Sequence, residues 1–203
     1  EIVEKRSNIK LSRIFLLKNK LEIKQLYKKN FDEKFTILNN LNKVPKLSNE
    51  AYNSILKADI IIYCPGTQHS SLYPTYMSTN FKKAVEQNKK AKKIFITNIG
   101  ADYETPKYDS FDYLKGAYNY ITNFDGKNNY RKYFDKVLIN KPKYRSRINY
   151  VKFNKLHFEK NLIDYTVGDF ENIKKPGSHD IKKLYKFILW KMFWLLLSPT
   201  IEL

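Results

Sequence analysis

The run DIIIY, Asp59 to Tyr63, is apolar at every position after its first, and Ile94 to Thr97 and Val137 to Ile139 share that character. A strand with one wet face alternates apolar and polar residues. Continuous apolar strands are those covered on both faces, as in parallel sheets. Leu162 to Val167 reads as a further strand, and Ile9 to Leu17 as an earlier one.

Between these runs lie stretches of helical period. Ser48 is placed to cap a helix carrying Ala51, Tyr52, Ile55 and Leu56, and Pro74 suits the first turn of another that carries Met77, Phe81, Ala84 and Val85. Asp109 caps a third, to about Thr122, and a last helix runs from Asp180 to about Leu197. Strands and helices alternating in this way predict an α/β fold: a three-layer, doubly wound, mainly parallel, Rossmann-like sheet with Asp59–Tyr63 and Ile94–Thr97 as adjacent central strands. The 203 residues fit one domain, with the Lys- and Asn-rich stretch 18–46 as a surface insertion. The single cysteine, Cys64, allows no internal disulfide, and no Cys/His cluster offers a zinc site, so a reducing, cytoplasmic setting is expected.

A net charge of +18 invites a nucleic-acid partner. Of the 38 basic residues, however, 33 are Lys and 5 are Arg, and the Lys lie scattered on helix faces. The guanidinium forks that read phosphates and bases are scarce, which argues against nucleic acid and for a solvated surface.

Parallel sheets bind ligands at the carboxyl ends of their strands. There the first central strand ends in Cys64, Pro65, Gly66 and Thr67. Gly66 has no side chain to hold a ligand away. The hydroxyls of Thr67, Ser70 and Ser71, with the N–H groups opening the Pro74 helix, then surround a small donor-rich volume suited to phosphate. A plain strand-to-helix connection would use the same residues for capping.

The segment ADIIIYCPGTQHSSLYPTYM, continued by KKIFITNIGADYET, resembles the centre of the 2-phospho-L-lactate transferase (CofD-like) family, including its UDP-sugar-binding gluconeogenesis-factor branch. Ala58, Asp59, Pro65, Gly66, Ser71, Pro74, Asn98, Glu104 and Thr105 fall in the family's register, and YFDKVLIN and SHDIKKL are similar to later family motifs. Cys64, Thr67 and Ser70 depart from its loop. The resemblance implies that the family's Gly-rich nucleotide loop belongs to an N-terminal part missing here. It also implies a transferase that binds a nucleotide-activated phosphate ester and passes a phospholactyl group to a hydroxyl acceptor, or a non-catalytic nucleotide-sugar-binding regulator on the same fold. Magnesium would enter through the bound phosphate. Pro65, Gly66, Thr67, Ser70, Ser71, Asn98, Glu104 and Thr105 are the implied ligand-binding residues, with Glu104 equally suited to capping.

The remaining candidates have plainer roles. His69 reads as an exposed loop residue, Asp180 as the cap of the last helix, and Cys64 as a small packed residue. The last helix is apolar nearly all round in its second half, yet too short to span a membrane. It suits packing on the sheet and against a further domain or a second copy, ahead of a membrane surface.

Overall fold

The computed structural model describes residues 13–17, 24–143 and 148–197, and main chain only over 191–197. Four strands, β1 (Ile60–Tyr63), β2 (Lys92–Ile96), β3 (Lys136–Asn140) and β4 (Tyr165–Gly168), form one sheet in the order β1-β2-β3-β4. Every pairing is parallel. The two strands read from continuous apolar runs are neighbours, as expected, although β1 stands at the edge of the described sheet and not at its centre. Residues 13–17 form no strand, only an isolated bridge between Leu17 and Asn42; residues 9–12 of that expected strand lie outside the described residues.

Register explains the layers. Tyr63, Phe95, Val137 and Tyr165 align across the sheet, so their side chains share one face. Helices α4 (Tyr73–Tyr76), α5 (Phe81–Gln87) and α6 (Ser110–Thr122) pack on that face, with Phe158 of α7 (Lys155–Lys160). Parallel neighbours in sequential order need crossovers of one hand, which places their helices together. The opposite face carries Ile94, Ile96 and Leu138, covered by Leu184, Phe187 and Ile188 of α8 (Ile181–Leu197) and by Phe170. This gives the three-layer α/β arrangement.

The aromatic content is spent mainly inside. Tyr63, Tyr73, Tyr113 and Tyr118 are all buried, and Tyr73 stacks on Tyr120 at 4.2 Å. Most buried hydroxyls find partners, such as that of Tyr120, which accepts the Ile14 N–H at 2.8 Å. Those of Tyr63 and Tyr73 find none within the described residues.

Helix ends follow the sequence signals. Ser48 accepts the Ala51 N–H at the start of α3 (Asn49–Lys57), and Asp109 forms a capping box with Asp112. Asp180 accepts the N–H groups of Lys182 and Lys183, the capping role read for it. Part of stretch 18–46 forms two helices, α1 (Lys24–Tyr27) and α2 (Phe31–Leu41). Among the described residues no helix is long and apolar enough to cross a membrane.

The expected Pro74 helix differs in two ways. Winding begins earlier, as a π-turn over Gln68–Leu72 that runs into α4, and it breaks before α5 at Asn80, whose φ of 72° is left-handed. Pro74 has no N–H to give, so the regular ladder is interrupted where the wider turn sits.

Candidate functional site

The loop after β1 is held by side chains from the loop after β2. Gly66 donates its N–H to Asn98 Oδ1 at 3.0 Å, and Asn98 Nδ2 donates to the Gly66 carbonyl at 3.0 Å. One amide side chain thus satisfies both polar groups of one residue, as a neighbouring strand would. Gln68 Nε2 adds a bond to the same carbonyl at 2.8 Å.

Glu104 is the second anchor. Its Oε2 accepts the N–H groups of His69 at 2.9 Å and Ser70 at 3.2 Å, and the residue is 1% exposed. The first amides of the turn therefore face a carboxylate of the chain itself, the charge that a helix start favours. Asp102 sets Glu104 in place: its Oδ1 accepts from the N–H of Glu104 at 2.8 Å and from the N–H and hydroxyl of Thr105, each at 3.0 Å. Thr105 Oγ1 also lies 2.7 Å from the Tyr113 hydroxyl, whose pKa burial pushes up to about 12.

The residues read as ligand-binding are therefore brought to one place but divide into two groups. Asn98 and Glu104 spend their polar atoms on the loop, Thr105 bonds Asp102 and Tyr113, and Thr105 is wholly buried. Pro65, Gly66, Thr67, Ser70 and Ser71 line the outer side, where Ser70 and Ser71 are exposed. The Thr67 hydroxyl makes no capping bond. A Cβ built on Gly66 meets only the Leu72 side chain, at 3.6 Å, which is ordinary contact. Packing within the chain does not require a glycine there.

His69 is not the exposed residue expected. It is 1% exposed, because the π-turn carries its ring inward to 4.8 Å from that of Tyr73. Cys64 is exposed and not the packed residue expected, because it follows the edge strand β1; its Sγ lies 3.9 Å from the Ile62 carbonyl oxygen, and partial desolvation pushes its thiol up, away from nucleophilic behaviour at neutral pH. Asp102 and Gln68 escaped the reading of the sequence. The D-x-E-T spacing is an Asx-turn signal that marks Asp102.

A second concavity opens at the carboxyl ends of β3 and β4. It is a cleft of about 730 Å³ between Tyr150, Phe153 and Tyr165, with Lys141 and Lys152 among its lining residues. The segment that forms one wall is tied to the β2 loop by bonds from Ala101 N to Asn149 O at 2.8 Å and from Val151 N to Ile99 O at 2.9 Å. Loop and cleft therefore share one frame. Among the described residues no group of three or more His, Cys, Asp or Glu is placed to hold a metal ion.

A parallel sheet layered between helices, with a braced loop at its carboxyl edge, defines a protein of the open α/β class, in which ligands sit at that edge. The 2-phospho-L-lactate transferase CofD family model matches residues 9–182, and the chain belongs to that family. A putative gluconeogenesis factor of Aquifex aeolicus is 32% identical over 73 residues, 36% of this chain and 22% of that protein. A member of the UPF0052 family from Bacillus halodurans superposes with a TM-score of 0.59 at 21% identity, over 71% of this chain and 46% of that one. A second crystal structure, of Bacillus halodurans protein BH3568, gives the same TM-score at 20% identity and covers 47% of that chain. The chain thus spans less than half the length of these relatives, and the structural likeness concerns the fold.

Proposed function

We propose that this chain supplies the phosphate-holding loop of a CofD-type protein and binds a nucleotide-activated phosphate ester. The phosphate sits on the outer side of the turn, against the hydroxyls of Thr67, Ser70 and Ser71 and the backbone at Gly66. Asn98, Glu104 and Thr105 are positioning residues that fix the loop. The observation that carries this reading is the bracing itself: Asn98 and Glu104 hold four backbone groups of the loop, while Ser70 and Ser71 are exposed and Thr67 half-buried. Rigid donors cost little to reorganise when an anion arrives.

Transfer of a substituted phosphate group needs mainly positioning and charge stabilisation. On this reading the whole protein passes a phospholactyl-type group to a hydroxyl acceptor, and the cleft beside Tyr150 and Phe153 has room for that second reactant. Magnesium would be carried in by the nucleotide's phosphates and would supply charge neutralisation; the protein's part is to hold the phosphate and its ester in line.

A second reading, a nucleotide-sugar-binding regulator without catalysis, is favoured by one feature. Both carboxylates nearest the loop, Asp102 and Glu104, accept backbone N–H groups and are poorly placed to move a proton. The relative described as a putative gluconeogenesis factor points the same way.

Gly66→Ala tests the site. The added methyl meets only Leu72, at 3.6 Å, so stability should stay within about 0.5 kcal/mol of wild type. Calorimetric titration with guanosine and uridine diphosphates and a UDP-sugar should show affinity reduced by about tenfold or more, the effect of holding phosphate off the backbone. Equal affinity in the two proteins would remove the loop from the site. Turnover of a phospholactyl donor would favour the transferase reading, and tight UDP-sugar binding without turnover the regulator.

A further inference from the structure

Away from the loop after β1, residues 13–15, helix α2 and the end of α6 line an open cavity of about 400 Å³, with Arg13 and Lys34 set among Phe15, Phe31, Phe35 and Phe124. The volume falls in the range of small-molecule sites. Arg13 lies with Cζ 3.9 Å from the Phe124 ring centroid and 5.0 Å from that of Phe35. Phe15 meets Phe35 edge-on at 5.7 Å, and Phe31 stacks on it at 6.4 Å.

The guanidinium is held by rings, with no carboxylate beside it among the described residues. Its faces are covered by rings, which leaves its in-plane N–H groups to be satisfied, yet among the described residues it makes no hydrogen bond or ion pair. Lys34 likewise has no carboxylate partner among them, and no residue lining the cavity is acidic. Two cations set among aromatic rings, with no counter-charge among the described residues, form a site complementary to an anion that carries an apolar body.

The backbone is arranged for this contact at a cost. Asn123 and Phe124 both have left-handed φ, 53° and 59°, a conformation rare for a bulky aromatic residue. That conformation closes α6 and seats the Phe124 ring against Arg13. Strain of this kind persists where neighbours over-determine it. Here Ile14 N donates to Tyr120 Oη, Phe124 N bonds Asn119 O at 2.8 Å, and Leu16 N bonds Asn42 Oδ1 at 2.8 Å, so both sides of the cavity are pinned.

We propose that this aromatic cavity binds a small ligand in which a planar apolar ring carries a carboxylate or phosphate group. The anion pairs with the in-plane N–H groups of Arg13 and with Lys34, and the ring packs against Phe31 and Phe35. A planar guanidinium binds either anion through two parallel bonds. The site is separate from the phosphate loop and does not depend on its assignment.

The test titrates the isotopically labelled protein with indole-3-acetate, with phenyl phosphate and with neutral indole-3-acetamide, read by amide NMR shifts. At least one of the anions should saturate shifts at Arg13, Lys34 and Phe124, with the amide at least about tenfold weaker. Arg13→Gln should weaken the anion about tenfold and leave the neutral probe unchanged. Lys34→Gln serves as the second variant should Arg13→Gln fail to fold. Phe124→Gly, which accepts left-handed φ, should keep the fold and weaken the probes that bind. Which anion saturates first distinguishes carboxylate from phosphate. Equal binding of acid and amide, no saturable shift with either anion, or shifts centred elsewhere would overturn the proposal.

Discussion

Removing the Glu104 carboxylate should loosen the loop before it affects anything else. In Glu104→Ala the His69 and Ser70 N–H groups lose their acceptor. His69 is 1% exposed, so its amide stays dry and unpaired, whereas water reaches the exposed Ser70. A buried amide left without an acceptor costs about 1–3 kcal/mol, and a bond to a charged group contributes about 1.5–3 kcal/mol. Burying the carboxylate has its own desolvation cost, which the substitution removes, so the net loss should be about 3 kcal/mol. Glu104→Gln keeps a carbonyl oxygen toward both amides and should cost only about 1 kcal/mol. Urea unfolding at neutral pH, with slopes compared to confirm a two-state transition, measures both. Nucleotide affinity should fall in the Ala variant and be largely kept in the Gln variant. An Ala variant within about 0.5 kcal/mol of wild type, or a Gln variant as damaged as Ala, would refute the bracing role.

Gly116→Ala should destabilise by about 3 kcal/mol, because its Cβ would overlap the Tyr73 hydroxyl and lie 2.9 Å from Cζ inside a packed core. Tyr73→Phe removes a buried hydroxyl that has no partner among the described residues, so it should be neutral or stabilising by about 1 kcal/mol, and a double-mutant cycle by thermal unfolding should show it relieving part of the Gly116→Ala loss. Burial holds the His179 imidazole below its ordinary 6.5, against a bond to the Thr97 carbonyl and the nearby Glu171 charge. The unfolded chain therefore takes up the proton first, and this contribution to stability is present above pH 6.5 and lost as pH falls through the lower folded value. A melting-temperature series on acidification should accordingly fall less steeply in His179→Gln, and parallel curves would contradict this.

β2 and β3 were legible because residues on both their faces are covered; the run Ile60–Ile62 carries the same local signature, although Ile62 at the sheet edge is 40% exposed. Caps were legible for the same reason: Ser48, Asp109 and Asp180 act on N–H groups two or three residues away. The π-turn was not. Its residues, QHSSL, have no periodic apolar stripe, and their winding depends on Glu104, more than thirty positions later. The inward turn of His69 follows from the same long-range contact. Asn98 and Glu104 were marked by their register with the family, but register does not reveal whether a polar side chain faces a ligand or the chain.

The placement of the acids links the composition to the site. In a chain with 38 basic and 20 acidic residues, two carboxylates near the carboxyl edge are buried and accept backbone N–H groups. Glu104 faces two amides; Glu171, also 1% exposed, accepts the Gly177 N–H at 2.7 Å and the Tyr150 hydroxyl at 3.0 Å. Each such carboxylate satisfies donors that a loop would otherwise leave open and is withdrawn from the surface by the same act. What the edge then offers to solvent is the hydroxyls of Ser70 and Ser71, the backbone around Gly66, and Lys141 and Lys152 at the cleft. An anionic ligand meets few like charges there, and its donors are already fixed in place. On the proposed reading, Lys141 and Lys152 would favour an anionic ligand at this edge without the arginine forks that nucleic-acid readout requires.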